Sequence, residues 1–187
     1  MKEKEVAEKF KKWLEKQSWE SKLEFHTEYE LLYALEINEY NGKEDRYFQK
    51  RSFETDILIS VPVHAKKAWF PAVVIEVKYK SLITHDPIIY GVKAEHHRAI
   101  HPYLRYGMLV VGVDSLPGRL IRHGKKFDFL IAIKNPIPER NKQSVIHKIL
   151  RNEIKTAITM RDALKDNRSR HRKKFWYLHK SIEFNQK

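Results

Sequence analysis

Residues 51–61 (RSFETDILISV) and 70–80 (FPAVVIEVKYK) decide the fold of this chain. Both are rich in β-branched and aromatic residues, which marks them as strands, and together they make a hairpin across residues 62–69. A symmetric pairing centred on Lys66 sets Asp56 opposite Glu76 and Glu54 opposite Lys78. Side chains alternate with period 2 along a strand, and directly paired residues share a face. Asp56, Glu76 and Lys78 therefore converge on one patch, with Glu54 as a neighbour. Ile57, Ile59, Val73, Ile75 and Val77 form the opposite, wholly apolar face, while Leu58 and Val74 share the charged one. The charges thus lie at one end of a mostly hydrophobic hairpin, where a cleft can open to water. Two carboxylates facing each other destabilise a sheet unless a cation holds them, and that cation is either Lys78 or a bound metal.

Asp56 followed, after a gap, by Glu76-Val77-Lys78 resembles the PD-(D/E)XK nuclease superfamily, which includes many restriction endonucleases and Holliday junction resolvases. The residue before the Asp, often Pro in that superfamily, is Thr55 here. The resemblance covers residues 1 to about 135 in order of elements. It implies an α/β (α+β) fold with a restriction endonuclease-like core, a central mixed sheet flanked by helices. It also implies Mg²⁺ or Mn²⁺ as cofactor, held by Asp56, Glu76 and the backbone carbonyl of Val77, with Lys78 as the catalytic partner. Lys78 then orients the attacking water, takes its proton if its pKa is depressed, or stabilises the phosphorane oxygens; the sequence leaves these three open. The competing reading is a structural ion pair among Asp56, Glu76 and Lys78. On the first helix, where relatives sometimes place another acidic ligand, Glu5 and Glu8 compete for that role with Glu28 further along, and Glu54 reads as a solvated strand neighbour.

The remaining elements fit the same order. Val6, Phe10, Trp13 and Leu14 give residues 3–17 an amphipathic helical spacing. Residues 25–37 are aromatic and aliphatic enough for a strand, though their periodicity is mixed, and Asn41-Gly42 reads as a turn. Residues 86–100 read as a helix with Asp86 at the cap and Pro87 at its first position, ended by Pro102. Residues 108–113 (MLVVGV) and 127–133 (FDFLIAI) suit buried strands, separated by a turn at Leu116-Pro117-Gly118. Residues 143–164 read as a helix with apolar Val145, Ile149, Ile154, Ile158 and Leu164.

Composition bounds the chemistry. The 187 residues fit one core, residues 1–138, with a basic helical C-terminal extension over 139–187 packed on it. There is no cysteine, so disulfides, zinc–thiolate sites and iron–sulfur clusters are excluded and any metal must use oxygen or imidazole. No apolar run approaches the roughly 18 residues of a membrane span, and the charged start MKEKEVAEKF is no signal peptide, so a cytoplasmic, nucleoid-associated protein is expected.

Of the net charge of +13, the extension alone carries +9, with 14 Lys and Arg against 5 Asp and Glu. Arg168, Arg170, Arg172, Lys173 and Lys174 run into Phe175, Trp176 and Tyr177. Basic groups neutralise phosphates and aromatic faces stack on bases, so these residues, Trp176 included, are the expected nucleic-acid contacts. The bland alternative is a solvated charge run before a hydrophobic anchor. His97 and His101 have the spacing of metal ligands on a helix, but Pro102 disturbs that helix and no Glu follows His97, so solvent-facing or substrate-contacting histidines are expected instead. Lys93, His96 and His97 on the same helix are candidate contacts to a DNA backbone. A metal-dependent DNA endonuclease, with RNA not excluded, is the leading function. A catalytically silent or partner-dependent nucleic-acid-binding module of the same fold is the alternative. Cutting two strands needs two sites, so a homodimer is expected.

Overall fold

The structure is a computed structural model and describes residues 1–40, 46–63 and 68–165. It is an α+β fold: a five-stranded open mixed sheet with helices on both faces. The elements are α1 (Glu3–Glu15), β1 (Glu24–Tyr40), β2 (Arg46–Val63), β3 (Ala68–Tyr79), α2 (His85–Ile100), β4 (Arg105–Val111), α3 (Gly118–His123), β5 (Phe129–Ile133) and α4 (Arg140–Lys165). The strands lie in chain order, β1-β2-β3-β4-β5. The first three pair antiparallel, whereas β3–β4 and β4–β5 are parallel. The crossover between β3 and β4 is α2, as a parallel pair requires.

The pairing centred on Lys66 is the one adopted: Ile57 faces Ile75, Leu58 faces Val74 and Ile59 faces Val73. A bulge follows between Ile59 and Ser60, and Pro71 sits at it, where its missing N–H costs the ladder nothing. The alternation read from the sequence also holds. Ile57, Ile59, Val73, Ile75 and Val77 join one buried cluster with Val6, Phe10 and Leu14 of α1 and Ile146, Leu150, Ile154 and Ala157 of α4. Leu58 and Val74 join the other, with Ala94 of α2, Leu120 of α3, and Tyr106, Met108 and Val110 of β4. Arg161 of α4 adds a guanidinium 3.8 Å from the centre of the Phe70 ring.

Several expectations need correcting. α1 and α2 match their expected spans closely, but Asp86 lies inside the first turn of α2, with Thr84 before it as the cap, and its carboxylate accepts from the Ile83 N–H at 2.7 Å. α3 was not expected, because six residues are too few for a helical period to register. In α4 the buried line runs through Ile146, Leu150, Ile154 and Ala157; Ile149 and Ile158 pack partly against it, and Leu164 is exposed. The Asn41-Gly42 turn lies outside the described residues.

Candidate active site

The β2–β3 ladder stops at Ile57 and Ile75, one pair short of Asp56 and Glu76. On the other side, the β1–β2 register steps from Thr27–Ile57 to Tyr29–Thr55, passing over Asp56 and its counterpart Glu28. Glu28 has a φ of 52°, a left-handed conformation that a glutamate holds only at a cost. Asp56 therefore belongs to neither ladder. Its Oδ2 accepts from the Val77 backbone N–H at 2.7 Å, standing in for a strand partner. The N–H and C=O of a strand residue point toward the same neighbour, so the Val77 carbonyl faces the Asp56 side too.

Glu76 is 1 % exposed. Its Oε1 accepts from the hydroxyl of Tyr106, itself buried, and from Lys93 Nζ at 2.9 Å. Burial pushes the Glu76 carboxyl up to about 7 and neighbouring Asp56 pushes the same way, against the opposing pull of Lys93 and Tyr106. Lys78 behaves differently. It shares a face with Glu76, but its Nζ turns to Glu3 Oε1 at 3.4 Å and Asp86 Oδ1 at 3.5 Å, one acid from the first turn of each flanking helix. Its Nζ also lies 5.2 Å from the centre of the Tyr90 ring. Burial disfavours its ammonium, yet Tyr90, Glu3 and Asp86 outweigh burial and the pKa is raised. Two residues on, Lys80 with a φ of 64° turns the chain out of the sheet toward α2. Arg119 of α3 holds that connection through the Leu82 carbonyl at 2.6 Å.

Asp56, Glu76, Val77 and Lys78 thus gather at one end of the hairpin. Glu54 does not join them: it pairs with Glu30 on β1, and it is the Glu54 backbone carbonyl that reaches the site, accepting from Lys93 Nζ at 2.8 Å. Glu8 accepts instead from the Thr27 hydroxyl, Glu28 pairs with Lys4 at 2.5 Å and Glu5 is exposed; the α1 acid beside the site is Glu3. His97 is fully buried rather than solvent-facing, with Nε2 on the Leu31 carbonyl at 3.2 Å, and burial lowers its pKa to about 4. His101 meets the Leu32 carbonyl at 3.2 Å, so both histidines tie α2 to β1. Arg168, Arg170, Arg172, Lys173, Lys174 and Trp176 lie outside the described residues.

Sequence reasoning missed the roles of Lys93, Tyr106 and Glu3. One signal for Lys93 was available: it adjoins the buried line Pro87, Gly91, Ala94 and His97 of α2, and a lysine at the edge of a buried stripe calls for a partner.

Among the described residues no three His, Asp or Glu side chains cluster as a metal site. Two hard carboxylates and a backbone carbonyl nevertheless suit Mg²⁺ or Mn²⁺, since Mg²⁺ is commonly held by one or two carboxylates and completed by water and phosphate. The raised pKa of Glu76 fits the same donor set, because a buried carboxylate beside a second one is relieved by a cation. No protein-family model matches the chain, and no curated protein matches it. Among the described residues no helix is long and apolar enough to cross a membrane.

Proposed function

We propose that this protein is a metal-dependent endonuclease that hydrolyses phosphodiester bonds in DNA, built on a restriction endonuclease-like core. The observation that carries the reading is the meeting of Asp56 with Glu76-Val77-Lys78 where the β2–β3 ladder ends, with Asp56 held by the Val77 N–H. The helix–three strands–helix–strand order around that meeting point supports the same core. Asp56, Glu76 and the Val77 carbonyl would hold Mg²⁺ or Mn²⁺, which when bound supplies a water of lowered pKa and neutralises charge on the phosphoryl group.

The chain's own groups do the rest. Asp56, fixed by a backbone N–H, presents its second oxygen in a set direction. The raised pKa of Lys78 favours a lasting ammonium that orients water and phosphate oxygens over one that takes up the water's proton. The basic residues Arg168, Arg170, Arg172, Lys173 and Lys174, with Trp176, are the proposed contacts to the DNA. A homodimer would set two such sites on two strands, and a cytoplasmic place at the nucleoid follows from the substrate.

The second reading, a catalytically silent or partner-dependent nucleic-acid-binding module, draws on Lys93 already engaging Glu76. One experiment separates the two: incubate the protein with supercoiled plasmid, linear duplex, four-way junction and single-stranded RNA in Mg²⁺, Mn²⁺ or EDTA, alongside Lys78→Ala. Metal-dependent DNA cleavage lost in the variant is expected. Salt-sensitive binding without cleavage would move the protein to the binding-module reading, and cleavage of the RNA alone would change the substrate.

A further inference from the structure

A carboxylate as buried as Glu76 needs a counter-charge, because an unpaired buried charge is strongly unfavourable. Lys78 is the obvious source from the sequence, two residues along the same strand, yet its ammonium is turned to Glu3 and Asp86. The charge comes from α2 instead, through Lys93 at 2.9 Å. Lys93 is held by more than this one contact. Its Nζ donates to the Glu54 carbonyl at 2.8 Å and lies 5.1 Å from the centre of the Tyr90 ring and 5.9 Å from that of Phe53. If Glu76 were taken away from it, an acceptor and two ring faces would still hold its ammonium.

We propose that Lys93 is the resident counter-ion of Glu76, which a divalent cation must displace, so that the lysine and the ion are alternative occupants of one carboxylate. This rests on the reading of Asp56 and Glu76 as an ion-binding pair. An ammonium at hydrogen-bond distance from Glu76 Oε1 both fills a ligand position and repels an approaching dication. The dication carries the greater charge and gains Asp56 as a second ligand, whereas Lys93 retains its Glu54 and aromatic contacts after release. The exchange also keeps the buried carboxylate neutralised at every stage. Lys78 approaches the same Tyr90 ring, at 5.2 Å, so the released Lys93 is a second ammonium beside the one already assigned to the site.

The test follows the lysine itself. The full-length protein is acetylated with a succinimidyl ester, with and without saturating Ca²⁺, and the modification of Lys93 is followed by mass spectrometry against exposed Lys155 of α4 as reference. Ca²⁺ binding is measured by calorimetry on the same sample. Lys93 is expected to react slowly without the ion and several-fold faster with it, while Lys155 is unchanged. In Glu76→Gln, Lys93 should react fast in both conditions. Unaltered Lys93 reactivity alongside calorimetric Ca²⁺ binding that Asp56→Asn abolishes would overturn this inference and leave the ion-binding reading standing. Absence of calorimetric binding of Ca²⁺, Mg²⁺ and Mn²⁺ alike by the wild-type protein would overturn both.

Discussion

The two faces of the sheet are made by alternate residues of the same strands, and they carry opposite content. The face under α1 and α4 is packed with Val6, Phe10, Leu14, Ile57, Ile75, Leu109 and Leu150, all without exposure. The face under α2 and α3 has its own apolar cluster but also carries the buried Glu76 of the sheet and, from α2, the buried His97, both beside the Tyr106 ring. Each is matched by a specific partner, Lys93 and Tyr106 for Glu76 and the Leu31 carbonyl for His97. The difference teaches how a small sheet accommodates buried charge: one mainly apolar face, whose Arg105 is paired with Glu153 of α4 and with Asp128, supplies cohesion, so the other can hold groups that burial disfavours.

The largest effect should come from the cohesive face. Phe10 is fully buried and packs on Trp13 with ring centres 5.2 Å apart. Phe10→Ala should cost about 3–5 kcal/mol, the range for truncating a buried aromatic, measured by urea denaturation. Because Phe10 belongs to the core on the other side of the sheet, the proposed ion binding by the folded fraction should be unchanged. A cost below about 1 kcal/mol would break the contrast, since α1 would then not be backing the sheet.

The charged face should respond in the opposite sense. The Glu76 carboxyl titrates at about 7 in the folded protein against an ordinary 4.5. Between those values the native state keeps a proton that the unfolded chain has released, so stability falls as pH rises through the window. Glu76→Gln removes that loss and should stabilise the protein at pH 8 by up to about 3 kcal/mol, with the gain vanishing near pH 4.5, while ion binding is lost. His97 works the other way: with its pKa lowered to about 4 from 6.5, its contribution is present above 6.5 and is lost as pH falls toward 4. The two slopes oppose each other in wild type, so denaturation midpoints of Glu76→Gln should climb more steeply with pH from 4.5 to 6.5. A variant destabilised at pH 8 would show that Glu76 is a net stabilising partner of Lys93.

The strands and α1 of the cohesive face were legible in the sequence, because their information is periodic: every second residue of 73–77 and the helical spacing of Val6, Phe10 and Leu14 state it locally. Of the buried line of α4, Ile146, Leu150, Ile154 and Ala157, only Ile154 was read, since apolar residues occur on more than one side of that helix. The charged face was legible only where it too is local. Asp56, Glu76 and Lys78 follow from one hairpin register, and that register is present for Ile57–Ile75 through Ile59–Val73. Tyr106 reaches Glu76 because β4 lies parallel beside β3, Val74 facing Tyr106, and a parallel register across a helical crossover leaves no mark in the spacing of either strand. Lys93 depends on how α2 sits over the sheet, and Glu3 on a contact with Lys78 across 75 residues. The break in both ladders at Asp56 was equally hidden, since alternation continues through it in the sequence.

The smallest effect tests where the two faces meet. α1 belongs to the cohesive face through its apolar side, yet its first turn sends Glu3 to Lys78 at 3.4 Å. Glu3 is 42 % exposed, and a pair open to solvent contributes about 0–1 kcal/mol, so Glu3→Ala should shift the denaturation midpoint little. Lys78 would keep Asp86 and the Tyr90 ring, and the proposed cleavage activity should survive within a few-fold. A loss of Ca²⁺ affinity in Glu3→Ala comparable to that in Asp56→Asn would sharpen the picture differently: the helix that backs the sheet would also supply a ligand, and the division between a cohesive and a charged face would end at the first turn of α1.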